Sequence, residues 1–254
     1  KENRNKIAPF PMQLKAFEQI QFDQKLVDQI EEDSKTVFDQ IKAWSYYDKT
    51  LYREHVTAQK FRQEGNKFHG IYGEIVINAN LHDVLAAFIG YGQVTPESPL
   101  QVQKSTVFQK FYFLTEEDKR RHDNMVSKTS FETFYFVTHN CTRSPVPMIV
   151  NHRDAVCISV MRFVSPTKSY LYSKSFAHPD LIQGVVRAQL HCQMVELEET
   201  EPSKVKIDQY VLCDPQGMLP ALIFNACLDE RNNVLLLLKA FCEGQIKPEF
   251  GVFK

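Results

Sequence analysis

Apolar residues open the chain at helical spacing. Phe17, Ile20, Leu26, Val27 and Ile30 predict a helix over about residues 12–30. The polar run Glu31-Glu32-Asp33-Ser34 then interrupts it, and Asp33 or Ser34 suits the N-cap of a second helix with Val37, Phe38, Ile41 and Trp44 on one side. An ordinary packed face accounts for that stripe. After Trp44 the period changes to two. A strand pair, or a strand with a turn near Glu64-Gly65-Asn66, is expected over 51–61, and a strand over 68–78 with Ile71, Ile75 and Ile77 on one face. Leu81, Val84, Leu85 and Phe88 restore helical spacing until Gly90 and Gly92. Residues 91–110 read as loop plus a short strand. Thr115 caps an acidic first turn, Glu116-Glu117-Asp118, of a short helix to about Met125. Strands follow at 131–138, 155–164, 170–176, 185–196 and 204–213. A final helix is expected over 220–242, with Pro220 at its start and Gly244 past its end.

Two of these elements carry the functional question. Val186, Ala188, Leu190, Cys192 and Met194 alternate with Arg187, Gln189, His191 and Gln193, the pattern of an antiparallel strand covered on one face. The next strand repeats it with Val205, Ile207, Val211 and Cys213, while Gln209 puts one amide on the inner face. The final helix is apolar from Ala221 to Leu228, with only Asn225 polar, and again from Val234 to Leu238, and such a helix must be covered on nearly every side. A filled sheet-and-helix core and a lipid-sized cavity between the two both fit this pattern.

Composition narrows the classes. At 254 residues the chain holds one large domain or two small ones, and 43% apolar with 24% charged residues is the mix of a globule. Thirty basic against thirty-one acidic side chains leave no basic excess for nucleic acid. The six cysteines form no C-x-x-C pair and no zinc spacing, and with no secretory pattern at the start they predict a cytoplasmic protein.

Enzyme signatures are missing: there is no G-x-S-x-G, H-E-x-x-H or phosphate-loop pattern. His139, Cys141 and His152 can be drawn as a metal site or a Cys/His pair, but their spacing matches no ligand pattern. No catalytic residue, metal or cofactor is assigned.

Three pieces of sequence, in order, carry a resemblance: Arg153-Asp154-Ala155-Val156, Gly184-Val185-Val186-Arg187-Ala188, and Asp214-Pro215-Gln216-Gly217-Met218-Leu219-Pro220 leading into the apolar helix with Asn225. Together they resemble the steroidogenic acute regulatory protein-related lipid-transfer (START) family, strongly over residues 153–242 and more weakly back to Trp44. The resemblance implies an α+β helix-grip fold, in which a curved antiparallel sheet wraps a long C-terminal helix and encloses a hydrophobic cavity for one lipid. It implies binding and transfer or sensing of that lipid, with transient membrane contact, no nucleic acid and no chemical step. Two departures stand out. Residues 91–110 lack the family's Trp-Asp, and the position of a buried sterol-reading Arg falls on Ser159, which favours a phospholipid or other polar-headed lipid over a sterol. Arg162 or Arg187 is then a candidate for a phosphate, unless each faces solvent.

On this reading residues 1–43 are a helical extension packing on a lipid-binding domain of residues 44–254. The expected lipid-lining residues are Val186, Ala188, Leu190, Met194, Ile207 and Val211 on the sheet, with Phe224, Leu228, Leu235 and Leu238 on the helix. Lipid is expected to be admitted where the helix start meets the Ser165-Pro166-Thr167-Lys168 loop. An enzyme on the same fold, or a filled-core interaction scaffold, remains the alternative.

Overall fold

The computed structural model describes residues 24–90, 106–142, 151–178 and 184–245. The first of these form α1, Gln24–Lys42, and it does not break at Glu31. Ser34 donates its hydroxyl to the Glu31 carbonyl (2.8 Å) and Gln29 donates to the Asp33 carboxylate (2.8 Å), so the polar run is absorbed by bonds within the helix. Ile30, Ser34, Val37 and Ile41 make one buried stripe. The expected helical residues before Gln24 lie outside the described part.

The sheet begins with β1, Ser45–Tyr52, and β2, Val56–Arg62. Their hairpin turns at Arg53 and Glu54, both with positive φ, ahead of the expected position. β3, Gly70–Ile77, turns Ile71, Ile75 and Ile77 inward as the spacing predicts. Then come α2, Leu81–Gly90; β4, Thr106–Phe113; and α3, Glu116–Val126, whose N-cap Thr115 accepts from the Asp118 amide. β5 is Phe134–Thr142, β6 His152–Ser165 and β7 Lys168–Ser175. The single strand expected over 185–196 is two. β8, Val185–Arg187, pairs parallel to β6; at Ala188, whose amide donates to the Asp154 carbonyl (2.7 Å), the chain leaves β6, and β9, Gln189–Glu201, pairs with β7 and β10. β10 is Lys204–Asp214.

Among the described residues these strands form one curved sheet in the order β1-β2-β3-β10-β9-β7-β6-β5-β4, with β8 on β6. It is covered on both faces. The outer face, with Phe61, Val137, Val156, Ile158, Val160, Tyr172 and Met194, packs against Ile30, Val37 and Ile41 of α1. The inner face, with Ile75, Phe136, Met161, Leu171, Val195, Leu197 and Ile207, meets α2 and the C-terminal helices.

The C-terminal helix is not the one long element expected. It comprises α4, Ala221–Ala226, a 3-10 turn at Leu228–Asn232, and α5, Asn233–Cys242. The break falls on the polar run over 229–233, whose charged groups face the β1–β2 hairpin. Asp229 meets Lys60 (3.3 Å) and Glu230 meets Arg53 (3.5 Å), both on the β1–β2 hairpin, while Leu228 and Asn232 point inward. Nor is the segment covered all round, because Leu222 and Ile223 lie open to solvent.

Candidate functional site

The register sorts the expected lining residues. Ile207, Leu235 and Leu238 share the main inner cluster. Val211, Phe224 and Leu228 form an adjoining one with Ala58, Phe68 and Ile71, and Leu190 packs on its edge. Leu190 reaches this face through a register shift. Leu212 pairs with Cys192 and Cys213 with Leu190, so His191 is passed over and the two faces exchange parity. Cys192 and Met194 therefore point to the outer face, where Met194 packs among the α1 contacts and not with the other lining candidates. Val186 and Ala188 lie at the end of the sheet, Val186 beside Gly217.

The inner face also carries polar side chains. Ser159, the position where a buried Arg was sought, is buried and hydrogen-bonded to Ser173 across β6 and β7 (2.7 Å). The cross-strand ladder continues from Ser173 to Gln193 and from Gln193 to Val211. Gln209 faces inward as its place in the strand predicts, and next to it Gly73 supports Asn232. Asn232 was not expected here. In the sequence it is one of five consecutive polar residues, 229–233, before the run Val234–Leu238, and nothing there singles it out.

The three motif pieces meet at one end of the sheet and bind each other. Arg153 donates to the Pro215 carbonyl (2.9 Å), the Gln216 carbonyl (3.3 Å) and the Asn151 carbonyl (2.6 Å). Asp154 takes two bonds from Arg187 (2.8 and 2.9 Å) and one contact with His139 (2.9 Å). Burial pushes the Asp154 carboxyl up, but the hydrogen bonds from His139 and Arg187 outweigh it and hold it below the usual carboxylate range. Asn225 accepts from the His69 amide (2.9 Å) and donates to the Lys67 carbonyl (3.2 Å), fastening α4 to the loop before β3. Arg187 is thus engaged with Asp154, and Arg162 is turned to the outer face, paired with Glu31 of α1.

His139 and Cys141 lie two residues apart on one face of β5, with His139 bound to Asp154. Burial, reinforced by the Asp154 charge, pushes the Cys141 thiol up to about 12, so it is held protonated rather than as a nucleophilic thiolate. Among the described residues no group of His, Cys, Asp and Glu is arranged to hold a metal. No described helix is long and apolar enough to cross a membrane.

The ends of the sheet differ. Lys168 and Thr167 meet Glu198 and Glu199, beside Lys204 and Val205. The start of α4 follows Asp214, at the opposite end, where β10 pairs with Gln189. The expected opening between the 165–168 loop and the helix start is therefore excluded by the register. Next to the motif joint, Met218 is 98% exposed and Leu222 82%, with Ile223 also open.

No family model and no curated protein matches the chain by sequence. Solved structures match it by shape. Human StAR-related lipid transfer protein 5 superposes with a TM-score of 0.65 at 14% identity, over 88% of this chain and 99% of that one. Human STARD10 gives 0.57 at 15% identity, over 89% and 81% of the two chains. The lipid transfer and protein localization domain of human StarD13 (DLC2) gives 0.54 at 15%, over 87% and 98%. The chain has the START fold. In START terms the sheet with its inward helices is the grip, and the joint of Arg153, Asp154, Arg187 and the 214–217 loop fixes where the C-terminal segment enters it.

Proposed function

We propose that this chain binds one lipid between the inner face of its sheet and the C-terminal segment, and carries it between membranes or senses it. The supporting observation is the inner apolar face made by Ile207, Val211, Leu190, Phe224, Leu228, Leu235 and Leu238 in a fold shared with named lipid transfer proteins. Val186 and Ala188 sit at the rim of that surface, and Met194 is left out of it. The lipid-binding unit is residues 44–254, and α1 closes its outer face as part of an N-terminal extension over 1–43. Water makes free transfer of an acyl chain slow, since each CH₂ exposed costs about 0.8 kcal/mol. The open apolar corner at Met218, Leu222 and Ile223 is where a bilayer would be touched, and no chemical step is required. Six free cysteines suit the reducing cytoplasm.

Purified protein incubated with vesicles should leave with one lipid per chain by native mass spectrometry. Its thermal stability should rise with lipid, by about 2.7 kcal/mol at a hundredfold excess over Kd. Failure to retain or be stabilised by sterol, phosphatidylcholine, phosphatidylinositol, ceramide or fatty acid would leave a filled-core scaffold as the reading.

A further inference from the structure

The inner face holds amide atoms that the fold leaves without partners. Asn232 occupies the N-cap of α5, yet its side chain makes no capping bond. It is 0% exposed, and neither its Oδ1 nor its Nδ2 has a hydrogen-bond partner. It lies so close over β3 that a Cβ on Gly73 would collide with its Oδ1. Gly73 pairs with Gln209, which is 3% exposed and whose Oε1 also lacks a partner. Directly paired positions sit about 5 Å apart on one face, so the two side chains are neighbours. Buried amides without partners are strongly disfavoured, and apolar residues of the same size would avoid the penalty. Whichever way each amide is turned, the pair presents both donors and acceptors.

The cations that could meet a phosphate are already engaged. Lys60 pairs with Asp48 and Asp229, Arg162 with Glu31 on the outer face, and Arg187 with Asp154. Resting on the lipid-binding reading above, we propose that Gln209 and Asn232 hold the uncharged polar end of the lipid, a hydroxyl or secondary amide and not a phosphate. Such a group donates one hydrogen bond and accepts another, which satisfies one amide oxygen and one amide N–H together. A phosphodiester only accepts, so the amide oxygens would stay orphaned and a charge would be buried without a cation. This departs from the phospholipid part of the expectation drawn from Ser159, a phospholipid or other polar-headed lipid; Arg162 and Arg187, its candidates for a phosphate, are engaged elsewhere.

The test offers the protein phosphatidylcholine vesicles, plain or doped with ceramide, with diacylglycerol or with cholesterol, and reads the bound lipid by native mass spectrometry. One of the doped lipids should displace phosphatidylcholine, and which one it is separates an amide from an ester-linked or sterol hydroxyl. Gln209→Met and Asn232→Leu should each weaken that binding by about tenfold, the loss expected for one buried hydrogen bond. Their melting temperatures should match or exceed the parent's, because orphaned polar atoms have been removed. If Asn232→Leu does not fold, Gln209→Met decides alone. Retention of phosphatidylcholine in every arm overturns the proposal but leaves lipid binding standing. So does unchanged binding of the neutral lipid by Gln209→Met, in which case an internal water satisfies the amides. Absence of any bound lipid removes the lipid-binding reading, and this inference with it.

Discussion

Asp154 shows what single residues contribute. Its carboxylate joins β5, β6 and β8 through His139 and Arg187, and it is 3% exposed. Its folded-state pKa lies below the ordinary aspartate value. The stability it provides is therefore fully present above about pH 4, and it is lost as pH falls through the depressed value. Asp154→Asn should lower unfolding free energy at neutral pH by about 3–5 kcal/mol, since Arg187 loses its buried partner. The variant should also lose part of the parent's decline between about pH 5 and pH 2. Urea melts across that range would check both, and parallel curves for parent and variant would show that Asp154 contributes nothing to acid sensitivity. The Arg153-Asp154 and Arg187 motifs are visible in sequence because their roles need fixed chemistry at fixed places. Asn232 is not, because its significance depends on Gly73 and Gln209, which are remote in the chain and meet it only after the sheet has formed.

At the scale of elements, period and capping were legible wherever one face alone decides the pattern. β3 keeps Ile71, Ile75 and Ile77 together, and α3 starts at Thr115. Reading failed where tertiary contacts override the local signal. A polar run does not break α1, because its side chains bond within the helix, whereas the polar run over 229–233 does interrupt the C-terminal segment, its Asp229 and Glu230 paired with the β1–β2 hairpin. Parity failed on β9 for one reason, the residue passed over at His191, which leaves Leu190 and Met194 on opposite faces. The fit of the C-terminal segment to β3 is tight as well. An added Cβ at Gly73 would meet Asn232 and lie 2.9 Å from Leu235 Cδ1. Gly73→Ala should therefore destabilise by about 1–3 kcal/mol despite the entropy gained over glycine. Equal or greater stability in a denaturant melt would mean that the segment moves aside freely there.

At the scale of the molecule, the two ends of the sheet have unlike surfaces. One carries the hairpins of β6–β7 and β9–β10, edged with Glu198, Glu199 and Lys204; the other carries Met218, Leu222 and Ile223. Changing both Leu222→Ser and Ile223→Ser should leave the melting temperature nearly unaltered, within about 0.5 kcal/mol of stability, because neither side chain is buried. Vesicle-to-vesicle transfer should slow on the order of tenfold or more if these residues insert into the bilayer. Transfer at the parent rate would move the membrane contact to another part of the surface.

The joint of Arg153, Asp154, Arg187 and the 214–217 loop stands apart from Gln209, Asn232, Ser159 and Ser173. On the proposal above, architecture and cargo are written in different residues. Substitutions at the inner positions can retune what is carried while the scaffold keeps its shape, so a lineage built on this fold is free to diversify its ligands without refounding its structure. The same separation means that sequences sharing the joint share a shape, and that only the inner amides and hydroxyls would report a shared ligand.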